Sequence, residues 1–157
     1  MIEIDNVSKW YGDFQVLADC TTHVDKGEVV VVCGPSGSGK STLLNLLGLL
    51  DRASSGHYFL DGRDVTGLSD DEQAYTRNSQ IGFVFQAFHL VPRLSAAENV
   101  ELPLLLGGVP ARERRARVDR VLELLQLADR AHHKPDQLSG GQRQRVAIAR
   151  ATVTEPS

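Results

Sequence analysis

A glycine-rich turn between an apolar run and a segment of periodic leucines restricts the fold of this chain more than any other feature. Residues 29–33 read Val-Val-Val-Val-Cys, a β-branched run typical of a strand that is covered on both faces of a parallel sheet. The turn occupies residues 34–39, and the leucines that follow recur at helical spacing. The order predicts an α/β fold in which a central strand leads through a glycine loop into a helix.

The same turn has a defined chemistry, because Gly-Pro-Ser-Gly-Ser-Gly-Lys-Ser matches the phosphate-binding pattern G-x-x-x-x-G-K-[ST]. Glycines let backbone N–H groups converge on phosphate oxygens, and the helix directs the positive end of its dipole at them. Lys40 adds a charge for the β- and γ-phosphates, and the Ser41 hydroxyl is placed to bind Mg²⁺. The predicted phosphate-binding residues are Gly34, Pro35, Ser36, Gly37, Ser38, Gly39, Lys40, Ser41 and Thr42. By itself this pattern serves kinases, GTPases and ATPases alike.

A second candidate anion site lies near the carboxyl end, where Leu-Ser-Gly-Gly-Gln precedes the helical pattern Arg-Gln-Arg-Val-Ala-Ile-Ala-Arg-Ala. Ser139 can cap that helix, and two glycines leave the first N–H groups accessible. An ordinary capped turn would show the same residues. With the phosphate loop, however, the stretch resembles the signature motif of ABC-type ATPases. The resemblance implies that Ser139, Gly140, Gly141 and Gln142 act on ATP held by a partner subunit.

Two further positions follow from the resemblance. Tyr11 aligns with the aromatic residue that stacks on adenine in this family, although a core or surface aromatic is the alternative. Gln86 ends a predicted strand, residues 81–85, where the family places a glutamine that touches Mg²⁺ and the attacking water. The alternative for Gln86 is a strand-end glutamine without a role. The implied ligands are therefore ATP and Mg²⁺, with Ser41 and Gln86 at the metal.

The resemblance implies a phosphate-loop NTPase fold of the α/β class, with an antiparallel β subdomain and an α-helical subdomain. Strands are predicted at 1–7, at about 15–24 and at 57–60, where an Asp61-Gly62 turn follows. A helix is predicted from about residue 112 to 127, and others after Ser95 and Ser139. The predicted divisions are a nucleotide-binding core with the β subdomain (1–86), an α-helical subdomain (87–138) and a signature segment that returns to the core (139–157).

The likeness is not uniform along the chain. From Asn6 to Leu43 it resembles polar amino-acid importers for glutamate, aspartate or glutamine. From about Leu44 onward it resembles the lipoprotein-releasing and macrolide-exporter branch. We hypothesise that the chain is a chimera joined near the helix after the phosphate loop.

The carboxyl end predicts a loss of catalysis. In the family, an apolar strand ending in an aspartate and a glutamate follows the signature helix, and a switch histidine comes later. Here the chain ends soon after the signature helix, and Glu155 is preceded neither by an apolar strand nor by an aspartate. The expectation is that the carboxy-terminal strands of the core are missing and that the chain binds ATP without hydrolysing it.

The charge and hydropathy of the sequence restrict the classes of partner that it can bind. The net charge is -3 with a pI near 5.9, so a nucleic-acid partner is not expected. The sequence contains no run of 18 apolar residues, so insertion into a membrane is not expected. The two cysteines have neither the number nor the spacing of a disulfide framework or a zinc site. The resemblance implies a head-to-tail dimer with a second ATPase subunit and a membrane permease that contacts the region between Phe88 and Leu105. It places the protein on the cytoplasmic face of the plasma membrane, in a bacterium.

Motifs of two other classes of nucleotide-binding protein are incomplete in this sequence. Asp64-Val65-Thr66-Gly67 matches the D-x-x-G string of GTPases, but no apolar strand precedes it and no N-K-x-D sequence follows. A chromosome-maintenance ATPase would need long coiled coils between its two motifs, and the chain has no room for them. A non-catalytic assembly or binding fragment remains the alternative to a transport ATPase.

Overall fold

The computed structural model describes residues 1–156 and divides the chain into two compact units, Met1–Ala74 and Tyr75–Ser157. The boundary falls inside a helix. Each unit is described by itself. The predicted three-part division at residues 86 and 138 is a different partition and stays a prediction.

The first unit contains a four-stranded antiparallel sheet with the order β2-β1-β3-β4. Its strands are β1 (Ile2–Tyr11), β2 (Phe14–Val24), β3 (Ser55–Leu60) and β4 (Arg63–Asp64). The connection from β3 to β4 is the predicted Asp61-Gly62 turn, and both residues have positive φ angles, 48° and 77°. The predicted antiparallel part of the fold is therefore confirmed, with β1 longer than expected.

A short helix, α1 (Lys40–Leu47), belongs to the same unit. The Tyr58 hydroxyl on β3 donates a 2.8 Å hydrogen bond to the carbonyl of Leu47, the last residue of α1. The buried apolar side chains of the unit come from the sheet, from α1 and from the segments after them: Ile4, Val7, Leu17, Leu46, Leu49, Tyr58, Leu60, Val65 and Leu68.

The second unit is helical. It contains most of α2 (Asp70–Gln80), then α3 (Ala96–Leu106), α4 (Ala111–Leu124) and α5 (Gly140–Thr152), with two 3₁₀ turns, Ala128–Arg130 and Pro135–Gln137. The helices predicted after Ser95, over 112–127 and after Ser139 are confirmed. The inner faces of these helices and the segments that connect them form an apolar core: Ala96, Val100, Leu104, Val118, Leu122, Leu127, Leu138, Val146, Ala149 and Val153.

The parallel strand predicted at 29–33 and the strand predicted at 81–85 are both wrong. Among residues 1–156, neither 29–33 nor 81–85 has strand pairing, and Val29 and Val31 are 90% and 75% exposed. The reason is physical: a β-branched run favours extended backbone, but a strand forms only where a neighbouring backbone accepts and donates its hydrogen bonds. The antiparallel strands find such neighbours through short turns, whereas parallel pairing requires partners that are distant in sequence.

Helix α2 was not predicted from the sequence. Its start has a capping arrangement in which the Ser69 backbone N–H donates to the Glu72 carboxylate (2.9 Å) and the Glu72 N–H donates to the Ser69 hydroxyl (3.3 Å). The Ser-x-x-Glu spacing at 69–72 is the signal that would have found it. In the described part of the chain, no helix combines the length and the hydropathy needed to cross a bilayer.

Candidate nucleotide-binding site

Lys40 closes the phosphate loop from inside. Its Nζ donates hydrogen bonds to the carbonyl oxygens of Gly34 (2.8 Å) and Pro35 (2.6 Å) and lies 3.4 Å from the Ser38 hydroxyl. The Ser38 N–H donates to the Pro35 carbonyl at 3.3 Å, which adds a turn within the loop. These bonds turn the carbonyl oxygens of the loop toward the ammonium group. The loop therefore presents a positive charge, which suits an anion.

Lys40 is also the first residue of α1. Gly39 is its capping residue, with φ of 84°, and no side chain caps the helix. A Cβ at Gly39 would lie 2.9 Å from Cδ2 of Leu17 and 3.0 Å from the carbonyl oxygen of Val16, so a larger residue would have to displace β2. The open first turn of α1, with the exposed Ser41 and the half-buried Thr42, is available to a ligand.

Tyr11 ends β1 and is half exposed (50%). Its hydroxyl donates a 2.5 Å hydrogen bond to Oδ2 of Asp51, and the Lys9 ammonium lies over its ring, 4.8 Å from the ring centre. The other carboxylate oxygen, Oδ1 of Asp51, accepts a 2.6 Å bond from Nζ of Lys9 and a 2.7 Å bond from the Arg52 N–H. Lys9, Tyr11 and Asp51 thus form one cluster, which we call the tyrosine cluster.

Contacts within the tyrosine cluster shift the pKa values of Tyr11 and Asp51. The hydrogen bond to Asp51 raises the pKa of the Tyr11 phenol, with partial burial and the Asp51 charge acting in the same direction and the Thr42 hydroxyl opposing them. Desolvation acts to raise the pKa of Asp51, but hydrogen bonds from Lys9, Tyr11 and the Arg52 backbone together outweigh it and lower that pKa. At neutral pH the cluster therefore contains a neutral phenol and an ionised carboxylate.

The residues of this unit fit a nucleoside triphosphate. An ammonium group, an uncapped helix terminus and a glycine at the point of closest approach form a cradle for phosphates, and an exposed aromatic ring offers a surface for a base. Among residues 1–156, no group of three or more histidine, cysteine or acidic side chains could hold a metal by itself.

Gln86 lies in the second unit, exposed, at the start of a turn rather than at the end of a strand. The following residues, Phe88 and His89, have positive φ angles of 61° and 46°. Arg150 of α5 holds them: Nη2 donates to the Phe88 carbonyl (2.9 Å) and Nη1 to the His89 carbonyl (2.8 Å). The Gln86 turn is therefore attached to the helix that follows the candidate signature residues.

The signature residues begin α5 as predicted. The Gln142 N–H donates to the Ser139 hydroxyl (3.3 Å), and the Ser139 N–H donates to the Gln142 side-chain oxygen (2.8 Å), which is a reciprocal capping box. Gly140 and Gly141 are exposed. Farther along α5, Val146, Ala147 and Ala149 are buried in the core, so the helix has one anchored face and an open amino end.

The structure groups the predicted residues in two sets. Tyr11 and the phosphate-loop residues, from Gly34 to Thr42, belong to the first unit, whereas Gln86 and the four signature residues belong to the second. Three side chains that hold these sets in place were not predicted from the sequence: Lys9, Asp51 and Arg150. Their partners are far away in sequence, so no local pattern marks them. Asp51 and Arg150 do lie directly beside or within the motifs that carry the resemblance, which is the one available signal.

Known proteins resemble this chain over its length. A family model described as ABC transporter matches residues 17–157. The lipoprotein-releasing system ATP-binding protein LolD of Porphyromonas gingivalis is 45% identical over 157 residues, which cover 100% of this chain and 72% of that protein. The macrolide export ATP-binding/permease protein MacB of Sodalis glossinidius is 51% identical over 157 residues, 98% of this chain and 24% of that protein.

Both alignments run through the position near Leu44 where the likeness is predicted to change. A single relative can therefore be aligned with both segments, and the chimera hypothesis stays a prediction. Among solved structures, the dimeric ATP-binding cassette MJ0796 bound to ADP and Pi has a TM-score of 0.87 and 45% identity, covering 99% of this chain and 71% of that one. This similarity confirms the predicted α/β nucleotide-binding fold.

Proposed function

This chain belongs to the ABC transporter family, and we propose that it is the ATP-binding part of a transporter that couples ATP binding and hydrolysis to movement of a solute across a membrane. The observation that carries the proposal is the closure of the phosphate loop by Lys40, whose Nζ is bonded to the carbonyls of Gly34 and Pro35 ahead of the uncapped amino terminus of α1. A simple glycine turn does not need an ammonium donor at its centre.

In the proposed complex, the adenine stacks on Tyr11 and the phosphates occupy the loop and the first turn of α1. The Ser41 hydroxyl would be a ligand of Mg²⁺, and the role of Gln86 at the metal stays a prediction from the resemblance. When bound, Mg²⁺ neutralises charge on the β- and γ-phosphates. Lys40 and the free N–H groups of α1 supply the remaining positive potential.

The signature residues suggest how two copies cooperate. Ser139, Gly140, Gly141 and Gln142 begin a helix whose amino end is open, and such an end favours an anion. We propose that they approach the γ-phosphate held by Lys40 of a second ATPase subunit in a head-to-tail dimer. The similarity to a cassette solved as a dimer with ADP and Pi supports this arrangement.

A permease is the second proposed partner. It would contact the region between Phe88 and Leu105, which includes the Arg150-bound turn and α3. The similarity to MacB, an ATP-binding/permease protein, supports an association of this kind of domain with a permease. Such a contact would place the chain on the cytoplasmic face of the plasma membrane, and the relatives described here are bacterial. No nucleic acid is required.

Hydrolysis needs more than the phosphate loop and the signature residues. Water must be positioned for attack and the metal must be oriented, and the family uses an aspartate and a glutamate on an apolar strand together with a switch histidine. We propose that the 157-residue polypeptide alone binds ATP without hydrolysing it. The alternative from another class is a binding or assembly fragment that takes no part in an ATPase cycle.

Phosphate release and nucleotide binding, measured on the same samples, test these proposals. The 157-residue chain should bind Mg-ATP and release no phosphate above buffer. A version extended by the carboxy-terminal segment of LolD should hydrolyse ATP, and its Lys40→Ala variant should not. Phosphate release by the unextended chain would contradict the first proposal. An extended chain that binds ATP without any turnover would favour the assembly fragment.

A further inference from the structure

The geometry points to Asp51 as a positioning residue that fixes the Tyr11 ring as a stacking surface for the nucleotide base. This inference rests on the proposed function, because it assumes that Tyr11 meets the base. It goes beyond that function by assigning a role to a side chain outside the phosphate loop, the Gln86 turn and the signature residues. The role is structural support of specificity, and Asp51 itself need not touch the nucleotide.

Asp51 is well placed to act as a fixed support. It follows α1, the helix that begins at the phosphate loop, and its own N–H lies 3.3 Å from the carbonyl oxygen of Asn45 in that helix. The preceding residue, Leu50, donates to the same carbonyl at 2.8 Å. The carboxylate is therefore attached to the carboxyl end of the helix whose amino end forms the phosphate site. The hydrogen bond that Tyr11 donates to Asp51 sets the distance between the base surface and the phosphate cradle.

The bond itself is a strong one. A neutral phenol donates 2.5 Å to an ionised carboxylate, and charge-assisted hydrogen bonds of this kind are shorter and stronger than neutral ones. Lys9 then holds the carboxylate from the other side at 2.6 Å and also donates 2.7 Å to the Arg52 carbonyl. The Asp51 side chain is only 26% exposed and that of Lys9 only 11%, so little water competes for these bonds.

The Tyr11 ring is covered on one face by Lys9 and is otherwise exposed to solvent. The Lys9 ammonium lies over the ring at 4.8 Å from its centre, yet half of the Tyr11 surface is open to solvent. An exposed aromatic ring usually rotates among several conformers, and the entropy lost on stacking then weakens binding. Here the Tyr11 hydroxyl is already held by Asp51. The tyrosine cluster thus prepares the ring for stacking.

The test separates base recognition from phosphate recognition. ATP and inorganic tripolyphosphate are titrated into the 157-residue chain by calorimetry, because tripolyphosphate can occupy the phosphate loop but has no base. Tyr11→Phe removes the donor of the bond, and Asp51→Asn replaces its charged acceptor by a neutral amide oxygen; both variants keep the ring. Each should weaken ATP binding about fivefold and leave tripolyphosphate binding unchanged, whereas Tyr11→Ala should weaken ATP binding about 30-fold, within the range expected of a lost stacking contact.

Asp64→Asn is the matched control. Asp64 is another carboxylate of the same unit and accepts a 2.9 Å bond from the Thr66 N–H, but it is not part of the tyrosine cluster. This variant should bind both ligands as the wild type does. The double variant Tyr11→Phe/Asp51→Asn should bind ATP no more weakly than Tyr11→Phe alone, because Tyr11→Phe already removes the bond that Asp51→Asn weakens. Tyr11→Phe keeps the test valid if Asp51→Asn does not fold.

Three results would overturn the inference. Unchanged ATP binding in both Asp51→Asn and Tyr11→Phe, with Tyr11→Ala still weak, would reject the positioning role and leave the proposed base site intact. An equal loss of ATP and tripolyphosphate binding would show that Asp51 supports the whole site rather than the ring. Unchanged ATP binding in Tyr11→Ala would reject the base site itself, and the positioning role with it.

Discussion

Arg150 and His89 are joined across 61 positions of sequence by a 2.8 Å hydrogen bond from Nη1 to the His89 carbonyl oxygen. The neighbouring Nη2 holds the Phe88 carbonyl at 2.9 Å. Both residues of the turn have positive φ, a conformation that costs on the order of 1 kcal/mol for each non-glycine residue. The two bonds offset that cost and keep the Gln86 turn in one conformation.

Arg150→Ala should therefore loosen the turn. The expected loss is about 1–3 kcal/mol of unfolding free energy, because two carbonyls lose a charged donor. Amide hydrogen exchange over residues 86–90 should become faster, which mass spectrometry would detect. Arg145→Ala is the control, since Arg145 on the same helix donates to the Leu125 carbonyl (3.0 Å) instead. Exchange at 86–90 that is unchanged in Arg150→Ala, or equally faster in Arg145→Ala, would contradict this account.

Gly39→Ala should disable the phosphate loop. The backbone φ of 84° disfavours any side chain, and a Cβ would lie 2.9 Å from Leu17 and 3.0 Å from the Val16 carbonyl. A strain of about 1–3 kcal/mol is expected, together with loss of ATP binding as the loop moves away from β2. Gly67→Ala is the matched control, because a Cβ there meets no atom within 4 Å. Wild-type ATP affinity in Gly39→Ala, measured by calorimetry, would show that the loop tolerates the change.

Asn99 should be a stability determinant of the second unit. It is fully buried on α3, accepts a 2.7 Å bond from the Val91 N–H and donates 3.1 Å bonds to the carbonyls of Val91 and Leu94. Asn99→Leu would leave these buried backbone groups without partners, at a cost of about 3 kcal/mol. Urea unfolding followed by circular dichroism measures the loss. An unfolding free energy within 0.5 kcal/mol of wild type, roughly the effect of a surface substitution, would refute the role.

Stability should fall in acid, partly through Asp51. The pKa of Asp51 in the folded chain lies below that of a free aspartate, because the hydrogen bonds from Lys9, Tyr11 and Arg52 outweigh desolvation. Its contribution is therefore complete above about pH 4 and is lost as the pH falls through the lowered folded-state pKa. In Asp51→Asn the unfolding free energy should start lower at neutral pH and fall less steeply below about pH 4. Urea unfolding across that range checks it, and an undiminished slope would assign the acid sensitivity to other carboxylates.

Elements specified by nearby residues could be predicted from the sequence. The capping box of Ser139 and Gln142 and the Asp61-Gly62 turn need only three or four neighbouring residues, and both formed as expected. The strands at 29–33 and 81–85 could not be judged in the same way. Their composition favours extended backbone, but the identity of a neighbouring strand is a property of distant segments.

The same distinction between local and distant contacts applies to the candidate site. The phosphate loop is a contiguous motif, so its residues could be named before the structure, and so could Tyr11 from its place in the resemblance. The contacts that hold Tyr11 could not, since Asp51 lies 40 positions away. Contacts such as Lys9 with Asp51 or Arg150 with Phe88 depend on packing, which no local pattern encodes.

A titration of Mg-ATP into the 157-residue chain and its Lys40→Ala variant tests the central claim most directly. The claim is that the loop closed by Lys40 binds a nucleoside triphosphate. The wild type should bind one ATP per chain, and Lys40→Ala should bind at least about tenfold more weakly, since it loses a charged donor to the phosphates. Lys26→Ala, which removes an exposed lysine of the same unit, should bind like the wild type. Absence of binding by the folded wild type, or equal binding by wild type and Lys40→Ala, would contradict the account.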